Sequence, residues 1–165
     1  MEYFDMNDLV EIVMENGKTM KIALASKVAP ISVANFKKLI SEGYYDGLIF
    51  HRVIKGFMIQ GGGYDQNFKS KRSEEIKGEF TANGINNPIL HERGVLSMAR
   101  TMVNDSATSQ FFIMHKDSPH LDGQYAAFGK VIEGLDVIDE IAKVRTNFQD
   151  CPLEPQIIKT IRFVK

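Results

Sequence analysis

The chain has 165 residues, 44% of them hydrophobic and 25% charged, which suits one globular domain with a core that needs no disulfide or metal to form. Its 20 Lys and Arg against 21 Asp and Glu leave a net charge of -1, so no overall basic excess points to nucleic acid or an anionic membrane. The one cysteine, Cys151, excludes an internal disulfide framework and fits a reducing compartment. No apolar run reaches membrane-spanning length. The acidic start, Met1 to Asp8, does not read as a secretory or transit segment. The expectation is a cytoplasmic protein, monomeric, with no nucleic-acid or membrane partner.

The first strand signal is Leu9 to Met14, followed by Glu15-Asn16-Gly17-Lys18, where Asn-Gly is placed to turn a hairpin. Thr19 to Leu24 alternates as the return strand. Pro30 and Ser32 open a helix: Ser32 is the expected cap, Val33, Phe36 and Ile40 share a face, and Gly43 ends it. Two apolar runs follow, Leu48 to Ile54 and Phe57 to Gln60, with a bend at Lys55-Gly56. From Gly61-Gly62-Gly63 to Gly94 the chain is rich in Gly, Asn and charge, a long connection of the kind that is functional or flexible. Val95 to Ala99, Phe111 to Met114 and Ala126 to Ile132 read as strands. A second helix starts near Leu135 with Val137, Ile138, Ile141 and Val144 on one face, and Ile157 to Val164 is the last strand.

These elements make eight short strands and two helices that do not alternate with them, which argues against a parallel βαβ sheet. Eight strands in a domain this small suggest closure into a barrel. The interior of such a barrel is just wide enough for side chains to fill, and the 11 Phe with the many Ile, Val and Met can fill it. Any ligand then sits outside the barrel. Residues 1–8 read as a short N-terminal extension and 9–165 as the domain.

The common chemical motifs are absent. No Gly-Lys-Ser/Thr follows Gly61-Gly62-Gly63, so this reads as a strand end in close backbone approach, not a phosphate loop. The histidines, His51, His91, His115 and His120, lack metal-ligand spacing. Cys151 has no CxxC or His partner nearby, and Ser97, Ser106, Ser109 and Ser118 sit in no nucleophile elbow. Lys69-Ser70-Lys71-Arg72 is followed by Ser73-Glu74-Glu75 and reads as a solvated loop. Neither a metal nor a cofactor is expected.

Three blocks carry information. In Phe50-His51-Arg52-Val53-Ile54-Lys55-Gly56-Phe57-Met58-Ile59-Gln60-Gly61-Gly62, Met58 and Gln60 share a strand face, and Arg52 reaches that face if the two runs pair as a hairpin. In Ser106-Ala107-Thr108-Ser109-Gln110-Phe111-Phe112-Ile113, Gln110 and Phe112 share a face. The third is Leu121-Asp122-Gly123-Gln124-Tyr125-Ala126-Ala127-Phe128-Gly129-Lys130-Val131. On these blocks the chain resembles the cyclophilins, peptidyl-prolyl cis-trans isomerases, from about Leu9 to Val164. Ser97-Met98-Ala99-Arg100-Thr101 and Ser106-Ala107-Thr108 look like the small bacterial single-domain members.

The resemblance implies a closed eight-stranded antiparallel barrel with a helix over each open end. It also implies that Arg52 is the catalytic residue and that Phe57, Met58, Phe112 and Leu121 form the pocket for the substrate proline. Gln60 would orient Arg52 and the substrate carbonyl. Ala99, Arg100 and Gln110 would line the groove for the preceding residues, with His120 and Tyr125 at the rim. The partners implied are proline-containing peptides and unfolded protein clients. Eukaryotic members commonly carry tryptophan at the position of His120, histidine at Tyr125 and asparagine at Arg100. His120 implies a weaker hold on cyclosporin-type cyclic peptides, since an indole buries more area and donates from its N–H. A proline-segment binding chaperone that does not need turnover is the alternative reading, and intact Arg52 and Gln60 favour the enzyme.

Overall fold

The computed structural model describes residues 2–165. Eight strands form one antiparallel sheet: β1 (Asp5–Met14), β2 (Thr19–Leu24), β3 (Leu48–Ile54), β4 (Met58–Asp65), β5 (Val95–Met98), β6 (Phe111–Met114), β7 (Ala127–Glu133) and β8 (Ile158–Phe163). Their order is β3-β4-β6-β5-β7-β2-β1-β8. The two edges meet where Ile49 bridges Ile157 and the Phe50 N–H donates to the Gln156 carbonyl at 3.0 Å. The sheet is thus a nearly closed barrel, as expected, with its edges hidden from other chains. The first strand begins at Asp5, so part of the expected extension is strand. Among the described residues no helix is long and apolar enough to cross a membrane.

Two helices, α1 (Pro30–Ser41) and α2 (Leu135–Ala142), cap the barrel. Val33, Phe36 and Ile40 of α1 and Val137, Ile138 and Ile141 of α2 join the interior core as the periodicity predicts, while Val144 lies beyond the end of α2. Ser32 does not cap α1. It is the third helical residue, wholly buried, and the first-turn N–H groups of Ile31 and Ser32 donate instead to the Glu79 carboxylate at 3.1 and 2.6 Å. The Ser32 hydroxyl donates to the same carboxylate at 2.8 Å. A buried carboxylate there satisfies orphan donors and meets the positive end of the helix. It comes from the long Gly61–Gly94 connection, which no local pattern ties to α1.

The strands sort their side chains into two layers. Phe50, Val53, Ile59, Phe111, Ile113 and Phe128 point into the barrel. Met58, Phe112 and Met114 point outward into a second, smaller apolar cluster with Leu121, joined by the partly buried Phe57 and Tyr125. Plain alternation would send Arg52 inward after Phe50. The β3–β4 register prevents this: Phe50 faces Gly61 but Arg52 faces Gln60, so two residues of β3 oppose one of β4. That bulge turns Arg52 to the outer face and leaves Val53 inside.

Candidate active site

The outer face of β3, β4, β6 and β5 carries one cross-strand row. Arg52 pairs with Gln60, Gln60 with Phe112, and Phe112 with Ser97. Neighbouring strands lie about 4.7–4.9 Å apart, so a cation, an amide and an aromatic ring stand side by side because of register alone. Arg52, Phe57, Met58, Gln60, Ala99, Arg100, Phe112, Leu121 and Tyr125 line one small cavity of about 130 Å³. Its floor is apolar: Met58, Phe112 and Leu121 are all buried. Its mouth carries the Arg52 guanidinium, which makes no ion pair with any described residue.

Two amides set the geometry beside Arg52. The Gln60 Oε1 lies 3.5 Å from an Arg52 guanidinium nitrogen, a long contact. The Gln60 side-chain N–H donates to Gln110 Oε1 at 2.9 Å, which fixes which end of the Gln60 amide faces the arginine. Gln110 in turn packs where a side chain on Gly63 would stand: a Cβ there would overlap the Gln110 side chain. The Gly61-Gly62-Gly63 run is therefore a close-approach device, as its sequence suggested. His120 lies outside the small cavity, with its ring 5.8 Å from that of Phe57, on the side where Leu121 and Tyr125 also border a further depression. All the residues singled out in the sequence thus gather at this one face.

Sequence reasoning missed the support beneath the floor. The His91 ring stacks on Phe112 at 6.0 Å and 21°, and Phe112 meets Tyr125 edge-on at 5.6 Å. His91 Nδ1 is 3.2 Å from Asp122 Oδ1, and Nε2 is 2.9 Å from the Ser97 hydroxyl. The carboxylate holds the ring proton on Nδ1, so Nε2 accepts from Ser97. Burial lowers the His91 pKa against the opposing pull of Asp122, which keeps the ring neutral at neutral pH. His51, behind Arg52 on β3, is also neutral: burial and the Arg52 charge lower its pKa to about 4. Among the described residues no cluster of His, Cys, Asp and Glu could hold a metal ion.

A second cavity of about 360 Å³ adjoins the first and shares Gln60, Ala99 and Arg100 with it. Its other walls include Gln110, Tyr64, Lys71, Arg72 and Thr108. The Lys69–Arg72 run, read from sequence as a solvated loop, therefore lies partly on the wall of this groove. The backbone N–H of Lys71 donates to the Gly63 carbonyl at 2.8 Å, and Tyr64 bridges Ser70, which pins the loop to the end of β4.

Comparison with known proteins agrees with this geometry. The family model described as cyclophilin type peptidyl-prolyl cis-trans isomerase/CLD matches residues 9–163. A peptidyl-prolyl cis-trans isomerase A of Dickeya dadantii is 43% identical over 155 residues, covering 88% of this chain and 80% of that protein. A peptidyl-prolyl cis-trans isomerase B of Bacillus subtilis is 45% identical over 134 residues, covering 81% and 87%. The crystal structure of a Cryptosporidium parvum cyclophilin type isomerase superposes with a TM-score of 0.81 at 30% identity, covering 96% of this chain and 98% of that one. The same Cryptosporidium protein has been crystallised in the presence of the dipeptide Ala-Pro. The chain belongs to the cyclophilin family, and its activity is that of a peptidyl-prolyl cis-trans isomerase.

Proposed function

We propose that Arg52 accelerates rotation about X-Pro bonds by donating a hydrogen bond to the prolyl nitrogen, while Phe57, Met58, Phe112 and Leu121 hold the ring. The observation that carries this reading is an unpaired guanidinium at the mouth of a small apolar cavity, placed there by the bulge in β3. Resonance gives the peptide bond a barrier of ~18–20 kcal/mol, and unaided X-Pro exchange takes tens to hundreds of seconds. In the twisted transition state the nitrogen leaves conjugation and regains a lone pair. A donor aimed at that lone pair binds the transition state better than either planar isomer, and only such differential binding speeds a reaction.

Arginine suits this role because it stays charged and its planar fork can be held rigidly. A gain of about 10⁵-fold corresponds to roughly 7 kcal/mol. One charged donor in a partly dry groove supplies ~3–4 kcal/mol by analogy with oxyanion-hole donors. Ring burial and orientation by Gln60 supply the remainder. Clients in this reading are proline-containing segments of folding proteins in the cytoplasm, where Cys151 would stay a free thiol. His120 at the rim supports a weak hold on cyclosporin-type cyclic peptides.

The test is cis-trans exchange of Ala-Pro in a short peptide, followed by NMR for wild type and Arg52→Ala. Arg52 is an exposed side chain, so the variant should stay folded, within about 0.5 kcal/mol of wild type, and lose about 10²–10³-fold in exchange rate. Undiminished exchange would remove Arg52 from the mechanism. Peptide binding without faster exchange in wild type would leave only a proline-recognition surface.

A further inference from the structure

The larger cavity beside the proline pocket is walled by Lys71, Arg72 and Arg100 and by no aspartate or glutamate. Arg52 stands at the adjoining pocket, again without a carboxylate among the lining residues. The chain as a whole has a net charge of -1. The cations along this groove are therefore a local concentration of charge and do not reflect the average surface.

Lys71 and Arg100 are held in place, and all three cations keep capacity for a ligand. The Lys71 ammonium donates to the Tyr44 carbonyl at 2.8 Å and lies 4.2 Å from the centre of the Tyr44 ring. It has three N–H donors, so that carbonyl leaves it unsaturated. The Arg100 guanidinium lies 4.6 Å from the Phe80 ring and 4.7 Å from the Tyr125 ring. It donates to the Gln124 carbonyl at 2.6 Å and to the Thr101 carbonyl at 3.0 Å. Its five donors exceed what those two acceptors use. Arg72 pairs with Glu75 at 3.2 Å, but both side chains are more than half exposed. A surface pair of that kind is worth little, and Glu75 does not line the cavity. Of the neutral polar lining, the Ser70 and Thr108 hydroxyls and the Gln110 side-chain N–H can donate hydrogen bonds to a carboxylate without adding a repelling charge, while the Thr101 hydroxyl already donates to Ser106 and the Ser106 hydroxyl to the Val103 carbonyl.

The two cavities share Gln60, Ala99 and Arg100, so a peptide with its proline in the smaller one runs past the larger. We propose that the larger cavity selects an acidic side chain, aspartate or glutamate, two residues before the proline. The proposal rests on the isomerase reading and on the preceding residues lying along Ala99, Arg100 and Gln110. Lys71 and Arg72 are then specificity-determining residues. A lysine at the same peptide position meets like charge and is disfavoured, so discrimination comes from repulsion as well as attraction.

The experiment uses the full chain and three capped peptides, Xaa-Ala-Pro-Gly with Xaa as Glu, Gln or Lys, plus Ala-Ala-Pro-Glu as a position control. Exchange rates and chemical-shift titrations are recorded for wild type and for the double variant Lys71→Gln with Arg72→Gln. The readout is the Glu-to-Lys ratio within one enzyme preparation, so any loss of overall activity cancels. At low ionic strength the ratio should be about 10-fold and should shrink several-fold in 0.5 M salt. In the double variant it should fall most of the way towards unity. A ratio near one in wild type, a ratio untouched by the double substitution, or an equal gain from Glu after the proline would overturn the proposal. If no peptide exchanges faster, the isomerase reading fails, and the binding ratio from the same titrations still decides the selectivity of the cavity.

Discussion

Phe111 and Phe112 are neighbours on β6 and face opposite ways. Phe111 points into the barrel, where its ring meets Phe36, Tyr45 and Phe50 at 5.5–6.0 Å in tilted edge-on contacts. Phe112 points outward, against His91 and Tyr125, and forms part of the floor of the small cavity proposed to take the proline ring. The same four strands thus carry a closed aromatic core on one face and the site on the other. The inner layer is packed on every side, so its worth is stability. The outer layer borders an open cavity on one side, so part of its packing is left unfilled, and in the proposed mechanism the substrate ring fills it. In the proposed mechanism no separate domain is needed, only the bulge that turns Arg52 from the first layer to the second.

The sharpest way to break this comparison is to truncate both rings. Phe111→Ala should cost about 3–5 kcal/mol, the usual range for a phenylalanine removed from a closed core. Urea unfolding in the cold would read it, and exchange activity per folded molecule should stay within about threefold of wild type. Phe112→Ala should cost less stability, because its ring already borders a cavity, yet it should lower exchange by more than about tenfold, given that a lost ring contact and its burial are worth above 1.4 kcal/mol. If Phe111→Ala were the variant that lost catalysis per folded molecule, the division into two layers would be wrong.

Much of this division is legible in the sequence, and the exceptions have physical reasons. Leu48–Ile54 and Phe111–Met114 read as strands because apolar runs of that length with turn residues around them have few other uses. The pairing of Met58 with Gln60 on one face follows from the two-residue period, and the structure keeps it. The outward turn of Arg52 does not follow, because a bulge is set by the partner strand's register and leaves no local mark. Ser32 looks like a helix cap by composition, but Glu79 takes the role from 47 positions away in the chain, and local pattern cannot see that distance. Lys71 and Arg72 look solvated because the segment around them has no period. Their place on the groove is fixed by backbone bonds to β4 and by Tyr44, contacts between segments that sequence alone does not join.

A second test concerns the residue beside the bulge. His51 Nδ1 is buried without a hydrogen-bond partner, and its ring meets Tyr64 at 4.7 Å. Its pKa is lowered from 6.5 to about 4 in the fold. Between these values the unfolded chain takes up a proton that the folded chain refuses, so stability rises with pH across the window and is lost as pH falls from about 6.5 to 4. At one pKa unit per ~1.4 kcal/mol the loss is at most roughly 3 kcal/mol from this residue. His91 and His115 are also lowered by burial and add to the same slope. Urea midpoints for wild type and His51→Gln at several pH values between 7 and 4.5 separate the contributions. The variant should show a distinctly shallower loss, and parallel curves would mean that His51 protonates freely in the folded protein.

The smallest effect belongs to the rim, where the outer layer thins into solvent. His120 sits 5.8 Å from Phe57 at 30° and is exposed, and it lies on a short 3-10 turn, Pro119–Leu121, whose apolar member Leu121 is buried in the pocket floor. The backbone there is anchored by Leu121 and not by His120, so the rim side chain can be exchanged without moving the floor. His120→Trp adds apolar area and a donor N–H at the edge of the groove. A large cyclic peptide that spans the rim should gain from both, about 1–2 kcal/mol or roughly 5–30-fold in affinity. A short Ala-Pro peptide, which in the proposed mode reaches only the small cavity bordered by Phe57 and Leu121, should exchange at an unchanged rate within about twofold. Titration of cyclosporin against both proteins, alongside exchange of the short peptide, reads the two together. Equal cyclosporin affinities would show that the rim does not limit binding. A matching rise in short-peptide exchange would show that the rim and the floor act as one surface, and the boundary drawn between them would have to move outward to include His120.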